Sequence, residues 1–213
     1  MGDLVSGRYP DSEEEFLLDG SPFPPYRRTI SRRDIATGTS PLALTSASVF
    51  VYAVPVQVGD IFNFVTFLAK TATLTPTHSW VALYNGVGPG AALLGQSADA
   101  TGGFAAGANK IQLASPVANL GTVGTPQGAG QPAIVPNGPA VWGVALYNTG
   151  ATGATIDGMP GGSVAGEVAV AGQLALASSG TLAATATAPA TLGALGSYAA
   201  AAAGVAYVLL SRQ

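Results

Sequence analysis

After residue 34 the chain almost stops carrying charge. Residues 1–34 hold 12 of its 19 formally charged side chains: Arg8, Arg27, Arg28, Arg32 and Arg33 against Asp3, Asp11, Glu13, Glu14, Glu15, Asp19 and Asp34. All the rest of the chain holds seven, namely Asp60, Lys70, Asp99, Lys110, Asp157, Glu167 and Arg212. Net charge keeps proteins apart in solution, so a free monomer this poor in charge is poorly soluble near its isoelectric point of about 4.9. The body of the chain is therefore expected to lie against other protein.

Hydrophobic residues make up 48% of the sequence, enough apolar surface to offset chain ordering, which excludes disorder throughout. The 29 glycines show no period of three, which excludes a collagen-like chain. With no cysteine there is no disulfide framework, thiolate nucleophile or cysteine metal site. Met1–Asp19 is acidic and lacks the apolar run of a signal peptide. The one membrane-like stretch, Tyr198–Leu210, is far short of the roughly 20 strongly apolar residues a helical span needs, so no membrane span is expected. A net charge of −3, with no basic cluster beyond Arg27–Arg33, argues against nucleic acid as a partner.

Residues 1–40 read as an extended arm. The acidic run Asp11–Glu15, the trio Phe16, Leu17 and Leu18, and the cluster Ser21-Pro22-Phe23-Pro24-Pro25-Tyr26 have no amphipathic period, and proline favours extended geometry. One reading is a mobile tail. The other, which we favour, is an arm docked on another subunit. Its apolar anchors would be Phe16, Leu17, Leu18, Phe23 and Tyr26. Arg27, Arg28, Arg32 and Arg33 would pair with carboxylates, where the planar guanidinium makes bidentate contacts that hold register.

From residue 41 to 213 the pattern is that of strands. Candidates are Val49–Val54, Ile61–Leu68, Ser79–Tyr84, Ala92–Ser97, Lys110–Leu113, Ala140–Tyr147, Thr181–Ala186 and Val205–Leu210, separated by Asn-Gly, Pro-Gly and Asp-Gly turn signals. Pro55 marks an edge or bulge at the end of the first. Ile61–Leu68 is apolar on both faces, as in a strand covered on both sides. Tyr198–Ala203 has helical propensity, but strand is expected after it. About eight short strands predict an all-β fold, a jelly-roll-like β-sandwich behind the N-terminal arm. The string Val-Ala-Leu-Tyr-Asn occurs twice, at 81–85 and 144–148. Each copy places Ala and Tyr on one face and Val and Leu on the other, which suits core strands in equivalent places of two halves. Segments 86–108, 121–139 and 148–166 are rich in Gly, Ala, Thr and Pro and read as long loops.

Val58-Gly59-Asp60-Ile61-Phe62-Asn63-Phe64-Val65-Thr66-Phe67 is followed by Leu74-Thr75-Pro76-Thr77-His78-Ser79-Trp80-Val81-Ala82-Leu83-Tyr84 and then by Leu93-Leu94-Gly95-Gln96-Ser97-Ala98-Asp99. This series, with Val141–Tyr147 as a later strand, resembles a module in minor tail proteins of tailed bacteriophages that infect actinobacteria. The resemblance covers roughly residues 42–160. It implies a virion structural protein with a jelly-roll-like domain, other tail or capsid subunits as partners, a homo-oligomer (a trimer by preference) and location on the tail. It brings no catalytic residues and no cofactor. Because the module here is nearly the whole chain behind a short arm, a capsid decoration protein or head fibre is the alternative.

Chemistry is sparse. The only histidine is His78, so no histidine-pair metal site exists, and a Ser-His-Asp arrangement would need His78 with Asp60 or Asp99. A glycosidase needs two carboxylates across a cleft, but three of the four in the body, Asp60, Asp99 and Asp157, sit at turn-like positions. Gly102-Gly103 and Gly161-Gly162 lack the Lys-Ser/Thr of a phosphate loop. No enzymatic activity is expected. Binding of a host cell-surface glycan is the remaining alternative, although Trp80 and Trp142 lie inside strand patterns and read as core.

Overall fold

The computed structural model describes residues 26–28, 42–119, 140–160, 177–200 and 204–212. Among these residues there is no α-helix, and the fold is an all-β sandwich. Its strands are β1 (Tyr26–Arg28), β2 (Leu42–Ala43), β3 (Ser48–Val56), β4 (Ile61–Thr71), β5 (His78–Tyr84), β6 (Leu93–Gln96) and β7 (Gly107–Ala118). They continue as β8 (Ala140–Thr149), β9 (Thr155–Ile156), β10 (Gly158–Pro160), β11 (Ala177–Thr181), β12 (Gly196–Ala200), β13 (Gly204–Ala206) and β14 (Val208–Ser211). One sheet runs β1-β14-β4-β9-β2 with β7 also on β4, the other β12-β11-β3-β8-β5-β6, and β10 pairs with β13. From β3 to β5, and again from β6 to β9, the chain crosses back and forth between the two large sheets.

The second sheet is covered on both faces. Tyr52, Val54, Val81, Leu83, Trp142, Val144 and Leu146 fill the space between the sheets. Val49, Val51, Trp80, Ala82, Tyr84, Ala145 and Tyr147 point outward into a second core. That second core is closed by Leu182, Ala188, Leu192 and Leu195, from a strap at 182–195. The alternation of the repeated string therefore serves two cores at once, because successive strand residues face opposite ways. Both tryptophans are fully buried, as their place in the pattern suggested. The two copies are not in separate halves, however. They are hydrogen-bonded neighbours, with Val81 opposite Leu146, Ala82 opposite Ala145 and Leu83 opposite Val144.

The first sheet corrects the reading of Ile61–Leu68. A bulge between Phe62 and Phe64 shifts the register against β7. An extra residue inverts the alternation, so Phe62 joins Val65, Phe67 and Ala69 on the buried face. Phe64, Thr66 and Leu68 are left half-buried, with the Lys110 ammonium 4.4 Å from the Phe64 ring centre. One face of β4 is core and the other is only partly covered.

Other differences have local causes. The strand expected at Thr181–Ala186 ends at Thr181, where β11 runs 177–181 beside β3. Beyond it the backbone lifts away as the strap, held by side-chain donors and by backbone bonds of Leu182 and of Ala190–Gly193. Val205–Leu210 divides at Tyr207 into β13 and β14, which serve different partners. Part of the alanine-rich stretch expected to compete for helix is strand β12, paired with β11. β7 is longer than Lys110–Leu113 because its ladder with β4 dictates its length. The loop reading at 148–166 misses β9 and β10, whereas β6 falls within the expected strand Ala92–Ser97, and 121–139 lies outside the described residues. Pro55 is exposed and stands opposite Val141 in the ladder between β3 and β8.

Candidate functional site

Within the span read as the arm, residues 26–28 form a strand of the sandwich. Tyr26, Arg27 and Arg28 pair antiparallel with Ser211, Leu210 and Leu209. The Arg27 guanidinium then reaches the turn between β3 and β4. Nε donates to Asp60 Oδ2 at 2.7 Å, and Nη2 donates to Asp60 Oδ1 at 3.0 Å and to Gln57 Oε1 at 2.9 Å. Asp60 Oδ2 also accepts the Gln57 backbone N–H at 2.7 Å. Gly59, at φ +96°, closes the turn in a conformation that favours glycine, and its N–H donates to the Asn119 carbonyl. The Asp60 side chain is 1% exposed and that of Arg27 is 12% exposed. A bidentate guanidinium–carboxylate pair is directional as well as strong, so it fixes both the position and the register of β1.

Arg27, expected among the arm's contacts to another subunit, thus directs its charge inside the chain. Tyr26 and Arg28 belong to the same strand. Phe16, Leu17, Leu18, Phe23, Arg32 and Arg33 lie outside the described residues. The partner of Arg27 was missed in the sequence because Gly-Asp reads as a turn signal, and turn duty accounts for Asp60 without any cation. The arginine cluster was legible; its carboxylate, far along the chain, was not.

A second polar cluster surrounds His78. Its Nδ1 lies 2.6 Å from Asp99 Oδ2, and Asp99 Oδ1 accepts the Ser79 N–H at 2.9 Å. Thr149 Oγ1 accepts the His78 N–H at 3.1 Å and lies 2.7 Å from Thr77 Oγ1. Asp99 therefore ties the loop after β6 to the start of β5. The His–Asp half of a triad is present, yet Ser79 Oγ is buried on the inter-sheet side. Of the three carboxylates among the described residues, Asp60 faces the Arg27 guanidinium, Asp157 the Lys70 ammonium at 4.0 Å, and Asp99 the His78 ring. No group of three or more metal-ligating side chains occurs among the described residues.

The outer face of the second sheet holds the strap through aromatic donors. Trp80 Nε1 donates to the Thr185 carbonyl at 3.1 Å, Tyr147 to that of Ala183 at 2.9 Å, and Tyr84 to that of Pro189 at 2.9 Å. Tyr84 and Tyr147 are the equivalent tyrosines of the repeated string, so the repetition supplies two matching anchors. Burial pushes the phenols of Tyr84, Tyr147 and Tyr198 above their usual range. The Trp80, Tyr84 and Tyr147 rings are fully buried, and Tyr198 is half-buried. Neither the family models nor the curated proteins compared with this chain give a match.

Proposed function

We propose that this chain is a structural protein of a bacteriophage particle, a minor tail protein whose N-terminal arm anchors a β-sandwich to neighbouring subunits. The observation that carries this reading is the seat of β1. A strand and a buried ion pair hold the arm's root at one place on the body, so the chain before Tyr26 starts from a fixed point on the sandwich. Support also comes from the quoted series resembling tail-protein modules, which spans the consecutive strands β4, β5 and β6. A body with only seven charges after residue 34 suits contacts with other protein, since interface cores are depleted in charge. The assembled form would be a homo-oligomer, a trimer by the same resemblance.

The test is particle assembly with a chain lacking residues 1–24, a deletion that spares β1. The shortened chain is expected to fold and to be missing from particles, and normal occupancy overturns the anchoring role. Labelled full-length protein seen on the tail supports the tail assignment. Label on the head shell replaces it with a decoration protein or head fibre. Binding of the purified oligomer to host-cell glycans, absent from a matched control surface, would favour host recognition.

A further inference from the structure

One end of the inter-sheet core is polar. Ser79 on β5 stands opposite Asn148 on β8, which puts the two side chains on one face with Cβ atoms about 5 Å apart. Val81 and Leu146, two residues inward, belong to the inter-sheet core, so alternation turns Ser79 and Asn148 toward the same space. Both residues are fully buried. Ser79 Oγ and both amide atoms of Asn148 have no hydrogen-bond partner in the protein. A buried polar atom left unmet is destabilising, and here three sit on two adjacent side chains.

The neighbouring backbone keeps this place free of side chain. A Cβ at Gly153 would collide with the Leu44 carbonyl oxygen and stand 3.2 Å from Asn148 Oδ1. Glycine therefore allows the turn after β8 to pack its backbone against the Leu44 carbonyl beside the amide. The chemistry of the unmet atoms selects the occupant. A cation would satisfy Oδ1 and repel the Nδ2 donors, while an anion would do the reverse. A small neutral molecule that both donates and accepts suits an amide and a hydroxyl together.

We propose that Ser79 and Asn148 hold ordered, buried water that closes this end of the core and couples β5 and β8 to the segment around Leu44 and Gly153. Buried waters of this kind make about three hydrogen bonds to otherwise unsatisfied groups. The inference does not depend on the particle role.

The test is a crystal structure of the full chain at a resolution that shows ordered solvent, together with NMR contacts between water and the Asn148 side-chain amide. The expected result is a water within about 3.2 Å of Ser79 Oγ and of one Asn148 amide atom, with a long-lived water–amide contact. A dry site, with Asn148 bonded directly to Ser79 or to the Leu44 carbonyl, overturns the proposal. In the paired variant Ser79→Ala with Asn148→Leu the water peak should vanish, and its persistence at full occupancy also overturns the assignment.

Discussion

Replacing Arg27 with methionine tests the junction between arm and body directly. The change removes two hydrogen bonds to Asp60 and one to Gln57 while keeping most of the aliphatic stem. Asp60, 1% exposed, keeps the Gln57 N–H but loses its counter-charge. Removing one partner of a buried ion pair costs about 3–5 kcal/mol, because the remaining charge stays desolvated. Arg27 is 12% exposed, so some water reaches the carboxylate once the guanidinium is gone, and the lower end of that range applies, about 3 kcal/mol. For a chain of this size that is a fall in Tm of roughly 6–12 °C. Urea unfolding followed by fluorescence of the buried Trp80 and Trp142 gives the measurement. Adding Asp60→Asn should recover part of the loss, since the double change leaves no unpaired charge. A loss below about 1 kcal/mol, the value of an exposed pair, would refute the claim that this ion pair holds the strand in place.

Tyr52, Tyr84, Tyr147 and Tyr198 are all raised above the usual phenol value of 10.0 by burial. Their contribution to stability is therefore complete below about pH 10 and is lost as pH rises above it, by up to about 1.4 kcal/mol per pH unit for Tyr52 and Tyr84 and by less for Tyr147 and Tyr198, where water screens the shift. Tyrosinate absorbance near pH 10 that accounts for all seven tyrosines with the fold intact would contradict this. Tyr84→Phe and Tyr147→Phe each remove a bond to a strap carbonyl, at a cost of about 1 kcal/mol. Hydrogen exchange should accelerate between residues 182 and 195, and unchanged exchange there would mean that the phenols do not hold the strap. Gly143→Ala places a methyl group against the Gly86 carbonyl and 2.9 Å from Val51 Cγ1. Such overpacking costs about 1–3 kcal/mol, and wild-type stability in denaturant would show that the crossing at Gly86 is loose.

Local chemistry made much of the sandwich legible. Val49–Val54 and Val141–Tyr147 are β-branched and aromatic, and both are central strands with every second residue in one of two cores. The bulge at Phe62–Phe64 was not legible, because a strand apolar on both faces gives no sign of where an extra residue enters. β2 and β9 have two residues each, too few for any period, and only their partners define them. The strap was misread at its start because Thr181–Ala186 has strand-like composition, while the donors that hold its carbonyls lie on β5 and β8, far away in sequence. For the candidate site Arg27 could be read and its acceptor could not, whereas Asp99 was one of two partners open to His78. A lone aspartate looks the same whether it closes a turn or binds an arginine from a distant part of the chain.

The meeting of the two Val-Ala-Leu-Tyr-Asn copies has a consequence for how the chain finds its own partner. Paired about Ala82 and Ala145, they form a seam with local twofold symmetry in sequence, and either string is as good a match for a copy of itself as for its mate. The ladder at this seam therefore carries no record of which chain supplied the second strand. Discrimination falls to features that differ between the copies: the Gly86 backbone crossing at Gly143, the Asp99 tie at the start of β5, and the strap that closes over both. These join residues distant from one another in sequence and depend on a sheet already formed.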